Sequence, residues 1–113
     1  SLFYLDLSGT RVTDAGLAAL SGLGQLEFLL LTDTAITDAG LEHAAKLKSL
    51  KWLRLEGTAV TDRGLLALAS STTLQSVIAG DTAVTAAGAE ALHRVQPRIR
   101  VSRDRRPVEN PEP

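Results

Sequence analysis

Val12-Thr13-Asp14-Ala15-Gly16-Leu17 decides the fold, because the chain keeps repeating it. The stretch returns as Ile36-Thr37-Asp38-Ala39-Gly40-Leu41 and as Val60-Thr61-Asp62-Arg63-Gly64-Leu65. A worn copy, Val84-Thr85-Ala86-Ala87-Gly88-Ala89, closes the series. Each glycine stands 24 residues after the last, without slippage. A fixed period of roughly 20–50 residues is the signature of a solenoid, a propeller or an array.

Laid against itself at that period, the chain forms four rows. One apolar column is Leu2, Leu26, Leu50, Leu74; three residues on comes Leu5, Leu29, Leu53, Val77. Leu7, Leu31, Leu55 and Ala79 follow, then Thr10, Thr34, Thr58 and Thr82, then Val12, Ile36, Val60 and Val84. Alternation around the Leu5 and Leu7 columns has the period of two expected of a half-buried strand. Leu17, Leu20 and Leu23, spaced by threes, suit one face of a short helix. Thr13 precedes that helix, where its hydroxyl can accept an orphan backbone N–H. Asp14 adds negative charge in the first turn, where the helix dipole favours it. Thr37 with Asp38, and Thr61 with Asp62, repeat the arrangement.

Each row therefore reads as strand, turn, helix and return, and such a unit buries its apolar side only by stacking. Strands stack about 4.8 Å apart, whereas a helix with side chains is about 10 Å across. Helices on one side and strands on the other must splay, which bends the stack and puts the strands on the concave face.

The pattern Leu-x-x-Leu-x-Leu, followed by Gly/Asp-Thr-x-Val/Ile-Thr-Asp-x-Gly-Leu, resembles the leucine-rich repeat. It is most similar to the 24-residue subclass with Ile-Thr-Asp-x-Gly-Leu, found in bacterial repeat proteins and in eukaryotic F-box-type substrate adaptors. The resemblance covers residues 2 to about 101. It implies a right-handed α/β leucine-rich repeat solenoid of about four repeats, and a non-catalytic binding scaffold. One departure is that Thr stands where the family usually has asparagine or cysteine; its hydroxyl can still bond the loop backbone.

Rows fall near 2–25, 26–49, 50–73 and 74–97, with a final capping strand at 98–101, giving a repeat domain over 1–101. The fourth row is degraded, with Ala79, Ala86 and Ala89 in place of Leu, Asp and Leu, and Ser71 has already replaced an apolar residue. Terminal repeats are commonly atypical because they cap the core. No comparable cap precedes Leu2, which points to upstream repeats or a partner at that edge. Residues 102–113 hold three of the four prolines and balanced charges, the composition of a disordered tail. The glycine column is costly, since Gly in a helix loses roughly 1 kcal/mol to Ala. Close approach of the neighbouring row, leaving no room for a Cβ, would explain it.

Composition bounds the rest. The 113 residues are 44% hydrophobic and 22% charged, with a net charge of −1 and no cysteine. No global basic field invites nucleic acid, no thiol is present for a disulfide or metal site, and no apolar run approaches the roughly 18 residues of a membrane helix. The aspartate column resembles a repeated cation site, but capping and the dipole already account for it, and it lacks a closed coordination shell. His43 and His93 lie 50 residues apart in helical halves and read as exposed surface. No nucleophile motif, phosphate loop or acid–base pair appears, so neither cofactor nor catalytic residue is assigned.

What remains is the outward side of the strands. Three of the four aromatic residues share one column, Tyr4, Phe28 and Trp52, continued by Ser76 and then Arg100. The next outward columns are Asp6, Leu30, Arg54, Ile78, and Ser8, Thr32, Glu56, Gly80. Aromatic residues and arginine are the types that anchor protein interfaces. The reading is a protein partner bound across the concave face, anchored on Tyr4, Phe28 and Trp52 with Leu30 and Ile78, and with Asp6, Arg54 and Glu56 setting specificity at the rim. Alternatives are a structural spacer or docking block of a larger protein, a carbohydrate or cell-surface ligand module, and self-association through the concave face or the N-terminal edge.

Overall fold

The computed structural model describes residues 3–104. In chain order it contains β1 (Tyr4–Asp6), α1 (Asp14–Ala19), β2 (Phe28–Leu30), α2 (Asp38–Ala44), β3 (Trp52–Arg54) and α3 (Asp62–Ala67). β4 (Ser76–Ile78), α4 (Ala86–Val95) and β5 (Arg100–Ser102) complete it. Short 3₁₀ turns at Leu20–Gly22 and Leu68–Ser70 extend α1 and α3. The five strands form one parallel sheet in sequence order. Tyr4 pairs with Phe28, Phe28 with Trp52, Trp52 with Ser76 and Ser76 with Arg100, so the register follows the 24-residue period throughout. Each helix packs against the next, α1 on α2, α2 on α3 and α3 on α4. This is an α/β leucine-rich repeat solenoid.

Row stacking buries the apolar columns completely in the middle of the chain. Leu26, Leu29, Leu31, Leu50, Leu53, Leu55, Leu74 and Val77 are all fully enclosed between sheet and helices. Leu5, Leu7 and Val12, their counterparts in the first row, are only half-buried. Backbone pairing continues past the strands: Leu7 donates to Leu30, Leu31 to Arg54 and Leu55 to Ile78 at 2.7–2.9 Å.

The turn after each strand has its own chemistry. Gly9, Asp33, Gly57 and Asp81 have φ of 73°, 57°, 72° and 58°, the left-handed region that glycine and aspartate tolerate best. Immediately after it, the hydroxyls of Thr10, Thr34, Thr58 and Thr82 donate to the carbonyl three residues back at 2.6–2.7 Å. Threonine thus closes the turn within its own row, as its hydroxyl allows.

The aspartate column does more than decorate helix ends. Asp14 accepts the Thr37 N–H on one carboxylate oxygen and the Thr37 hydroxyl on the other. Asp38 holds Thr61 in the same way at 2.7 and 2.6 Å, and Asp62 holds Thr85 at 2.7 and 2.6 Å. Each carboxylate therefore clasps the next row. The expected capping by Thr13 and Thr37 is corrected: neither hydroxyl caps its own helix. Thr61 does accept from the Arg63 N–H at 3.3 Å while donating to Asp38. Close approach accounts for the glycines. A Cβ on Gly40 would collide with the Asp14 carboxylate, one on Gly64 with Asp38, and one on Gly88 with Asp62.

A pH dependence follows. The hydroxyl and backbone N–H of Thr85 hold the Asp62 carboxyl below its ordinary value of 3.8. A depressed carboxyl stabilises the fold fully above the unfolded value and loses that contribution as pH falls through the folded one. Asp62→Ala should therefore be less stable than wild type at pH 7, and the gap should close as pH drops below 3.8. Urea titrations at pH 7, 4 and 2.5 would measure it; a constant gap would contradict the clasp.

At the C-terminal end the last strand forms at Arg100–Ser102 rather than 98–101. The shift has a local cause: the Ile99 N–H turns back to the Gln96 carbonyl at 3.0 Å, which delays extension. Ser71, replacing a core apolar residue, is buried and accepts the Leu74 N–H at 3.1 Å, so it shapes a turn. His93 is exposed as expected, whereas His43 is half-buried against the stack. Ser102 lies in β5, and Arg103 and Asp104 follow it; the remainder of the anticipated tail, 105–113, lies outside the described residues.

Candidate functional site

The pleat turns residues on either side of a buried strand centre outward. With Leu29, Leu53 and Val77 facing the core, their neighbours in β2, β3 and β4 face outward. Parallel pairing in strict register then aligns them in straight columns. The Tyr4 and Phe28 ring centroids lie 5.8 Å apart at 41°. Phe28 and Trp52 stack at 4.1 Å and 18°. Pairs of this geometry contribute about 0.5–1.5 kcal/mol beyond burial, so the stripe is an ordered surface. Phe28 has Tyr4 on one side and Trp52 on the other.

The stripe borders a groove of about 280 Å³, lined by Tyr4, Phe28 and Trp52 together with Leu30, Leu53, Arg54, Ser76 and Ile78. Six of the eight anticipated residues thus come together. Asp6 does not line the groove; it is exposed on the edge strand and accepts the Ser8 N–H at 2.9 Å. That hydrogen bond holds its carboxyl below the ordinary value.

Glu56 is the clear correction. Expected at the accessible rim, it is 2% exposed. Its carboxylate accepts from Arg54 Nε at 2.9 Å and Nη2 at 2.7 Å, and from the Thr32 hydroxyl at 3.1 Å. Strand alternation had placed it outward, but β3 ends at Arg54, and beyond the strand the pleat no longer dictates direction. The bond to Glu56 raises the Arg54 pKa above its ordinary value. Arg54 and Glu56 therefore act as one neutral unit, with the guanidinium fork pinned along one edge. Lys51 is likewise shared, 3.9 Å from Glu27 and 5.8 Å from the indole centroid.

A second hollow was missed by the columns alone. It measures about 510 Å³ and is lined by Trp52, Gln75, Ser76, Arg98 and Arg100. Its signal in the sequence was Ser76, a small residue interrupting an otherwise bulky column. Among the described residues no three His, Asp or Glu side chains gather as a metal site would require, and no helix is long and apolar enough to cross a membrane.

Comparison with known families agrees with this architecture. A family model described as Leucine Rich repeat matches residues 1–21 and 46–69, most of the first row and, after the last residues of the second, most of the third. No curated protein matches the chain. Two such matches and the stacked parallel sheet support the leucine-rich repeat fold, whose members typically serve as non-enzymatic binding modules.

Proposed function

We propose that this protein is a binding module that holds a protein partner across its strand face, without catalysing a reaction. The observation that carries the reading is the ordered stripe of Tyr4, Phe28 and Trp52 beside Leu30 and Ile78, contiguous, partly exposed and fixed on a rigid sheet. Rigid aromatic anchors with a polar border are the features that concentrate binding energy in protein interfaces.

The test is affinity capture with wild type and with the Phe28→Ser, Trp52→Ser double variant, followed by binding assays on whatever is retained. A protein held by wild type and at least tenfold more weakly by the variant is the expected result. Equal retention by both would assign the stripe to a spacer role. Circular dichroism checks that both proteins are folded.

A further inference from the structure

Resting on that reading, a narrower one concerns the partner's chemistry. Ser76 sits in the aromatic column between Trp52 and Arg100. Because Phe28 covers one face of the indole, the opposite face looks across Ser76, where the short side chain leaves a notch. Arg98 and Arg100 close the far side.

These two arginines differ from the other cations of this face. Arg54 is neutralised by Glu56 and Lys51 is shared with Glu27. Neither Arg98 nor Arg100 has a carboxylate within ion-pair distance among the described residues. Arg98 is nonetheless held in place, donating to the Ser71 carbonyl at 2.7 Å and the Gln96 side chain at 2.8 Å. That engages two of the five N–H donors of a guanidinium and leaves the others for a ligand. An apolar wall, a notch and two uncompensated guanidiniums are thus adjacent.

We propose that this notch receives an acidic peptide segment of the partner protein. An apolar side chain lies over Ser76 against the free face of Trp52, and a carboxylate within three residues of it reaches Arg98 and Arg100. The spacing follows from geometry. The Ser76 and Arg100 strands lie about 4.8 Å apart, and an extended peptide advances about 3.3 Å per residue. Charge complementarity favours a peptide over nucleic acid: two local cations on a chain of net charge −1 cannot track a phosphate backbone, which takes a series of phosphate contacts.

The test is an array of ten-residue Gly/Ser peptides, each with one Phe or Leu anchor. Glu, Gln or Lys is scanned through the four positions after it, and the array is probed with the labelled protein. Wild type should bind the Glu peptides about tenfold better than their Gln counterparts when the charge falls within three residues of the anchor. Arg100→Gln and the Arg98→Gln, Arg100→Gln pair should abolish that preference while anchor-dependent retention persists. Arg100→Gln alone leaves the Arg98 bonds to Ser71 intact, so its outcome does not depend on the fold of the last turn. Equal binding of Glu and Gln peptides by wild type would overturn the proposal. If Phe28→Ser, Trp52→Ser still lost retention in that case, the broader reading of the strand face would survive. No retention of any peptide, or tighter binding of a uridine-tract RNA than of every acidic peptide, would also overturn the proposal.

Discussion

Gly64→Ala should lower the free energy of unfolding by about 1–3 kcal/mol, the usual cost of overpacking a tight contact, whereas Gly16→Ala should cost far less. The two glycines occupy the same column, and alanine is the better helix former at either. They differ in what stands against them. A Cβ on Gly64 meets the Asp38 carboxylate and, at 2.9 Å, the Asp38 Cα. A carboxylate can swing aside, but a Cα moves only with its row. A Cβ on Gly16 meets only the Val12 side chain of its own, half-buried row. Gly40→Ala should fall between, because its nearest obstacles are all side-chain atoms of Asp14 and Leu17. Its cost should largely disappear in an Asp14→Ala background, while that of Gly64→Ala persists in Asp38→Ala. Urea denaturation of the five single variants and two doubles would show this pattern; equal losses at Gly16 and Gly64 would contradict it.

Asp38→Ala should cost about 2–3 kcal/mol on its own, since a carboxylate hydrogen bond contributes roughly 1.5–3 kcal/mol and the variant leaves Thr61 without its acceptor. Asp38 joins the second row to the third, where the contact is partly buried, and there both the Thr61 N–H and its hydroxyl depend on it. Asp38→Asn should be milder, because the amide oxygen still accepts the N–H and the hydroxyl, losing its charged acceptor, can turn to accept from the amide NH2. A fully stable Asp38→Ala protein would mean that the sheet alone aligns the rows.

Much of this architecture was legible in the residues. Strict 24-residue spacing settled the stacking, and apolar alternation set the strand register well enough to align Tyr4, Phe28, Trp52, Ser76 and Arg100 correctly. Close packing at the glycines could also be inferred, from their cost in a helix. The carboxylate clasps could not, because local rules for Thr-Asp before a helix already supplied a sufficient account of those residues. A hint existed: aspartate occupies rows one to three, each followed by another row with a helix, and Ala86 ends the series. Glu56 was misplaced for a different reason. Alternation holds only while the chain is pleated, and each strand here is three residues long. Past Arg54, burial is decided by Thr32 and Arg54 gathering around a carboxylate, and no periodicity encodes that.

The clasps bear on how the strand face behaves mechanically. Every seam between consecutive helix-bearing rows is fastened twice, by strand hydrogen bonds along one margin and by a carboxylate along the other. A seam fastened at a single margin can open like a book; one fastened at both resists bending in either direction. Fastening at both margins favours a solenoid that holds its aromatic stripe in one arrangement. Under the proposed binding, the entropic cost of ordering would then fall on the partner, which favours a short, extended and adaptable segment over a second rigid plate.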